Sequence, residues 1–110
     1  GRTYPAERFG MISSTQDSVI TLFYGYGKNN CSNIDLINTP LSGATYTAGL
    51  TDLRTNYLSP SSAWSSYYVT GSTHTYLVDT GMYNTTINGV KMTDWLNGLL
   101  TGAAAAHVGP

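Results

Sequence analysis

Residues 8–26 read RFGMISSTQDSVITLFYGY, and this stretch decides the fold. Its first part, from Arg8 to Ser14, passes from apolar to polar side chains and predicts a strand. The polar turn Thr15–Asp17 follows. From Ser18 to Tyr26 apolar side chains lie on nearly every face, which predicts a helix that is buried rather than at the surface.

A second helix and a second strand follow. The loop predicted from Lys28 to Ser42 is rich in Asn and Ser. Apolar residues from Ala44 to Tyr57 recur at near-helical spacing, and Pro60 ends that helix. Trp64 to Thr70 is aromatic and β-branched, which predicts a strand, and the turn Gly71–Thr75 comes after it. Two strands joined by a helical crossover require a parallel sheet, so the fold class is α/β.

The C-terminal part predicts a hairpin and a last helix. Asn88-Gly89 lies between Thr85–Ile87 and Val90–Met92, which is a strong signal for a two-residue hairpin turn. Thr93 is expected to be the N-cap of a helix from Asp94 to Leu100.

Two parallel strands are too few for a stable sheet, and parallel strands need cover on both faces. We therefore expect residues 1–110 to be a fragment of a single larger α/β domain, completed by strands of a companion polypeptide. The N-terminus, Gly1–Pro5, has no initiator Met and no signal peptide, which indicates the start of a processed or cleaved piece.

The composition excludes several partners. The formal net charge of 110 residues is −1, so neither nucleic acid nor an acidic membrane surface is an expected partner. The sequence contains no run of 18 apolar residues, so no transmembrane helix is predicted. Charged residues make up only 10%, and nine Tyr are present. This balance is common in secreted proteins that act on carbohydrate, so we expect a secreted or periplasmic location.

No cofactor and no metal are expected. His74, Asp79 and His107 do not have the spacing of a zinc site, and His107 is expected at the surface. Cys31 is the only cysteine, so it is either a buried thiol or paired with another chain. Two glycosylation triplets are present, at residues 30–32 and 84–86.

Asp17 and His74 are the candidate catalytic residues. Asp17 follows a strand and precedes a helix, where sites of α/β sheets gather, although such an Asp can simply cap the helix. His74 follows the second strand, and His is the usual general base near neutral pH, although a His in a polar turn is more often an ordinary surface residue. In α/β hydrolases the triad runs Ser, acid, His along the chain, and these two residues have that order. The acid would orient the imidazole, and the imidazole would take the serine proton.

The nucleophile is missing from this chain. No Gly-x-Ser-x-Gly elbow occurs, and the nearest serines, Ser42 and Ser72, are interpreted as turn residues. The serine and the oxyanion-hole donors are therefore expected on the companion polypeptide.

Two segments resemble the pectin acetylesterase family, especially its bacterial members. Residues 9–24, FGMISSTQDSVITLFY, resemble the strand and helix that carry the acid, and residues 67–77, YYVTGSTHTYL, resemble the segment that carries the catalytic His. Residues 48–54, 89–96 and 107–110 fit the same pattern. The likeness covers most of the chain but only the C-terminal part of the family's domain.

The resemblance implies an α/β-hydrolase fold, related to Notum-like carboxylesterases, and metal-free removal of acyl groups from hydroxyls. It makes Asp17 the triad acid and His74 the base of a carbohydrate or pectin acetylesterase-like enzyme, a heterodimer of cleaved chains that is inactive as this chain alone. Two alternatives stay open. One is a non-catalytic carbohydrate-binding or adhesion module that uses its Tyr and Trp, although packing is the expected role of the aromatics from Trp64 to Thr70. The other is an inactive remnant in which Asp17 only caps a helix.

Overall fold

The computed structural model describes residues 3–4, 6–26, 39–78 and 80–110. Residues 28–38 of the predicted loop, with Cys31 and the first glycosylation triplet, lie outside the described residues, as does Asp79. The described elements are, in chain order, β1 (Phe9–Ser14), α1 (Ser18–Gly25), α2 (Gly43–Leu53), β2 (Trp64–Val69), α3 (Gly81–Asn84), β3 (Thr86–Ile87), β4 (Val90–Lys91), α4 (Met92–Thr101) and β5 (His107–Val108). A π-helical turn, Arg54–Leu58, continues α2.

The principal sheet is parallel, with the strand order β1-β2-β5. β1 and β2 pair over their whole lengths, from Phe9 opposite Trp64 to Ser14 opposite Val69. The predicted α/β class with a parallel sheet is confirmed. The third strand, β5, was not predicted from the sequence, because it is two residues long and follows a run of alanines with no strand pattern.

Helices cover both faces of the sheet. Tyr67 and Tyr68 are consecutive on β2, so their side chains point to opposite faces. The Tyr67 ring meets the Trp95 ring of α4 edge-on, with centroids 5.5 Å apart. The Tyr68 hydroxyl donates to the Leu50 carbonyl of α2 at 3.2 Å. Both tyrosines are buried, which confirms that the aromatics of β2 are used in packing.

The main core lies between the sheet and α4. Its buried members are Tyr67, Val69, Tyr76, Met92, Trp95 and Val108. Gly10 of β1 allows α4 to approach closely, because a Cβ at this position would lie only 2.5 Å from Leu99 Cδ2 and 3.0 Å from Trp95. The small residue therefore sets the spacing between this helix and the edge of the sheet.

The helix predicted at 18–26 is present, but the prediction that it is buried is wrong. Phe23 and Tyr24 of α1 are 65% and 63% exposed. The side that α1 turns toward the fold carries Thr21 and Gly25, one helical turn apart, and these two are its buried residues. The helix thus buries its small side chains most deeply, whereas Val19 and Ile20 are half-buried and Phe23 and Tyr24 are exposed.

The hairpin prediction is confirmed, whereas the predicted cap of the last helix is wrong. Asn88 and Gly89 have φ values of 51° and 78°, as a type I′ turn requires. α4 begins at Met92, and Lys91 is its N-cap without a side-chain hydrogen bond. Thr93 lies inside the first turn, because β4 runs directly into the helix. The short helix α3 was also not predicted.

His107 was expected at the surface in the C-terminal tail; it lies in β5 and is half-buried. Its Nδ1 lies 3.0 Å from Ser66 Oγ. Arg54 binds the same region: its Nε donates to Ser66 Oγ at 3.0 Å, and its terminal nitrogens donate to the carbonyls of Val108, Gly109 and Pro110. The guanidinium also lies 3.8 Å from the centre of the Tyr68 ring. Arg54 thereby holds the C-terminal strand on the sheet.

β1 is at the edge of the sheet among the described elements. Phe9 and Thr15 donate their N–H groups to carbonyls of the β2 side, at 2.9 and 2.8 Å. Because backbone direction alternates along a strand, the N–H and C=O groups of Gly10 and Ile12 point away from β2. β1 carries none of the charged residues, prolines or bulges that commonly protect an edge. Within the described ranges, no helix is long and apolar enough to cross a membrane.

Burial and the nearby Arg54 charge lower the pKa of His107 below the ordinary value of 6.5. The unfolded chain therefore binds more protons than the folded one just below that value. His107 contributes fully to stability above about pH 6.5, and this contribution is lost as the pH falls through the lowered pKa. We expect the urea midpoint of the wild type to fall more steeply on acidification than that of His107→Gln. Equal pH slopes in the two proteins would contradict this assignment.

The open edge predicts an alternating pattern of amide exchange in β1. The amides of Met11 and Ser13 point toward β2 and should be protected, whereas those of Gly10 and Ile12 should exchange faster. Residue-resolved hydrogen exchange by NMR on the full chain measures the difference. Equal protection of all four amides would mean that another strand covers this edge.

Candidate active site

Asp17 terminates the turn after β1 and caps α1. Its Oδ1 accepts hydrogen bonds from the N–H groups of Val19 at 3.0 Å and Ile20 at 2.9 Å. The side chain is buried. The capping role that the sequence left as an alternative is therefore present, and it leaves one face of the carboxylate available to a further donor.

His74 is that further donor. Its Nδ1 lies 3.0 Å from Oδ1 and 2.9 Å from Oδ2 of Asp17. A carboxylate can only accept, so Nδ1 carries the proton and donates. In the neutral ring Nε2 is then an acceptor, and no other described residue makes a hydrogen bond to this ring. The structure thus brings the two sequence-predicted residues into contact, in a pair termed here the Asp17–His74 diad.

Backbone hydrogen bonds place the two loops of the diad side by side. The segment after β1 and the segment after β2 continue the pairing of the strands beyond their ends. These bonds run from the N–H groups of Thr15, Gln16 and Ser18 to the carbonyls of Val69, Gly71 and Ser72, at 2.8, 2.9 and 3.1 Å. The acid and the base consequently share one rigid frame.

The backbone is strained directly beside the base. Thr75 has a φ of 63°, in the left-handed region that a β-branched residue rarely adopts. Such a conformation costs on the order of 1–3 kcal/mol and persists only where neighbouring contacts enforce it. Two hydrogen bonds flank Thr75: Ser14 Oγ donates to the Thr73 carbonyl, and it lies 2.7 Å from the Tyr76 hydroxyl. Sequence reasoning missed both residues, since neither a Ser within a strand nor a Tyr after a loop carries a distinguishing signal.

The diad lines a groove of about 660 Å³. Most of the groove is apolar, with side chains that include Met11, Ile20, Tyr24, Leu41, Leu50 and Leu53. Beside the diad, its polar lining includes the Ser13 hydroxyl, which lies 3.2 Å from that of Tyr46. Gly49 also lines it, and a Cβ there would meet nothing within 4 Å. His74, with a side chain 38% exposed, is open to a reacting group from this side.

Among the described serines, none makes a hydrogen bond to His74. Ser42 caps α2, with its Oγ accepting from Thr45 N–H at 3.1 Å, which confirms it as a turn residue. Ser72 lies in the His74 loop, where its carbonyl accepts from Ser18. Ser66 contacts His107 but is 0% exposed, so that second serine–histidine pair is structural. Within the described ranges, no three His, Cys, Asp or Glu side chains are grouped as a metal site.

Comparison of the chain with protein-family models, with curated proteins and with solved structures found no match. The geometry of the diad and its surroundings therefore carries the functional argument.

The two roles of Asp17 can be separated by Asp17→Asn. Asn caps helices as well as Asp does, but it cannot offer the imidazole a charged, acceptor-only partner. We expect α1 to be retained and the urea midpoint to stay close to that of the wild type, because the cap is kept. The neutral His74 ring, by contrast, should lose its preference for the proton on Nδ1. ¹⁵N NMR of the ring above about pH 8, well above the ordinary His pKa, measures the tautomer. The sequence has two histidines, so a spectrum of protein that also carries His107→Gln reports on His74 alone. A wild-type tautomer ratio in the variant would contradict the assigned hydrogen bond.

Proposed function

We propose that this chain is part of a serine ester hydrolase, to which it contributes the acid Asp17 and the base His74. The observation that carries the proposal is the contact of His74 Nδ1 with both carboxylate oxygens, at 3.0 and 2.9 Å. This contact fixes the tautomer in which Nε2 can accept a proton from a hydroxyl nucleophile. The buried carboxylate would stabilise the imidazolium that forms.

The reaction follows from these roles. His74 Nε2 takes the proton of a serine hydroxyl as its oxygen attacks the ester carbonyl, and returns it to the departing alcohol. Water then attacks the acyl-enzyme with the same base, which regenerates the serine and releases the acid. The likeness to pectin acetylesterases supports an acetylated polysaccharide, or another carbohydrate ester, as the substrate class.

We place the serine and the oxyanion-hole donors on a companion polypeptide. Two observations support such a partner. Among the described elements β1 lies at the edge of the sheet, and an edge strand without protection is a template for pairing with another strand. Large apolar side chains of α1, among them Phe23 and Tyr24, are also exposed, and exposed apolar patches mark protein interfaces.

A carbohydrate-binding module receives less support. The aromatic pair of β2, Tyr67 and Tyr68, is buried and cannot contact a sugar. The exposed tyrosines of the described residues lie in several parts of the chain: Tyr4, Tyr24, Tyr26, Tyr57 and Tyr83. The stacked aromatic pair, Phe9 and Trp64, joins the first residues of β1 and β2, where it is half-buried between neighbouring strands.

The test is labelling of the purified protein with a serine-reactive fluorophosphonate, followed by mass spectrometry of every polypeptide present. We expect the label on a serine of a companion chain and a loss of labelling rate of several orders of magnitude in His74→Ala and in Asp17→Asn, because triad residues act as a unit. His107→Gln is the matched control, since it removes the other histidine and leaves the groove intact. Ester hydrolysis that is unchanged in both diad variants would refute the proposal.

A further inference from the structure

The hydroxyl of Ser14 connects the His74 loop to β1. Ser14 is the last residue of β1 and is 0% exposed. Its Oγ donates to the Thr73 carbonyl at 2.5 Å and lies 2.7 Å from the Tyr76 hydroxyl. A serine has one hydroxyl proton, which goes to Thr73, so the Tyr76 hydroxyl must donate to Ser14. The result is a directed chain of hydrogen bonds from Tyr76 through Ser14 to Thr73.

These hydrogen bonds bind residues on both sides of His74, the proposed base. Thr73 immediately precedes His74, and Tyr76 follows it by two residues. Between His74 and Tyr76 lies Thr75, whose φ of 63° is strained for a β-branched residue. The two hydrogen bonds hold both ends of the four-residue segment to one oxygen atom. Thr75 alone does not favour this turn, because a β-branched residue rarely adopts a positive φ. The two hydrogen bonds therefore help to maintain the turn that directs the imidazole toward Asp17.

Each end of the chain is anchored in a rigid part of the fold. Tyr76 is buried and belongs to the core cluster with Met92 and Trp95 of α4. Ser14 is three residues before Asp17 on the same strand end. Asp17 and His74 are thus both positioned relative to the Ser14 hydroxyl, which is held by the buried Tyr76.

We propose that Ser14 and Tyr76 are positioning residues for His74, holding its loop so that Nδ1 meets the Asp17 carboxylate. Their importance for ester hydrolysis rests on the function proposed above, whereas their effect on the imidazole does not. The two statements can therefore fail separately.

The first experiment compares Tyr76→Phe with Tyr67→Phe. Each substitution removes one hydroxyl from a buried tyrosine of the core cluster and keeps the ring. The Tyr67 hydroxyl binds the β3–β4 hairpin instead, donating to Val90 O at 2.6 Å and accepting from Ile87 N at 3.0 Å. Both variants should show a lowered urea midpoint, which makes Tyr67→Phe the control for a purely structural loss.

The readout is the His74 ring in ¹⁵N-labelled protein carrying His107→Gln. Tyr76→Phe is expected to broaden or abolish the Nδ1–H resonance and to mix the two neutral tautomers, whereas Tyr67→Phe leaves both as in the parent. The fluorophosphonate labelling rate should fall about 10- to 100-fold in Tyr76→Phe alone, as for a reacting group displaced by about an ångström. Ser14→Ala provides a second variant with the same expected signature, should Tyr76→Phe not fold.

The outcomes separate the two proposals. An altered His74 signal together with no labelling of any polypeptide in the parent assembly would support the positioning role and refute the hydrolase. A wild-type His74 signal in folded Tyr76→Phe and in folded Ser14→Ala would overturn the positioning role, whatever the labelling shows.

Discussion

The parallel pairing of β1 with β2 is the constraint on which the rest of the structure depends. The two strands run side by side from Phe9 opposite Trp64 to Ser14 opposite Val69, so their carboxyl ends finish level. In open α/β sheets, functional groups gather beyond such ends. Asp17 comes three residues after the end of β1, and His74 comes five residues after the end of β2. Backbone hydrogen bonds continue between these two segments. A shift of register would move the acid away from the base and turn inward-facing side chains outward.

Burying the Asp17 carboxylate is unfavourable unless its charge is met by donors. The fold supplies them from two directions: the first N–H groups of α1 and the Nδ1–H of His74. The helix end also contributes its dipole to the stabilisation of a negative charge. One residue therefore ends the loop, starts the helix and orients the imidazole. The capping and catalytic interpretations of Asp17 are compatible, because the helix N–H groups bind Oδ1, whereas the imidazole reaches Oδ2 as well as Oδ1.

The edge strand β1 and the exposed apolar side chains of α1 are both surfaces of a kind that is usually covered. Parallel strands are normally covered on both sides, and large apolar patches are rare on monomers. Here the groove that the diad lines is bounded by side chains of β1, including Met11, and by apolar residues of α1 and α2 such as Tyr24 and Leu50. The side chain of His74, which lines this groove, is 38% exposed.

Much of this could be predicted from residue patterns alone. Periodicity and turn chemistry identified the two long strands, the three longer helices and the Asn88-Gly89 hairpin, since these depend on neighbours within a few positions. The order of Asp17 and His74, each beyond a strand, was sufficient to predict that they meet. What the sequence could not determine was which surfaces are covered. The apolar pattern of α1 predicted burial, yet the helix packs through Thr21 and Gly25.

The remaining features were decided by contacts between residues distant in the chain. β5 exists because Arg54 and Ser66 hold residues 107–110 on the sheet, not because those residues favour a strand. The N-cap of α4 moved to Lys91 because the hairpin leads straight into the helix. The Ser14–Tyr76 bond joins positions 62 residues apart and has no local signature. Local sequence determined the elements and the two residues of the diad, whereas tertiary structure alone determined how the base is held, because hydrogen bonds between distant groups leave no period in the sequence.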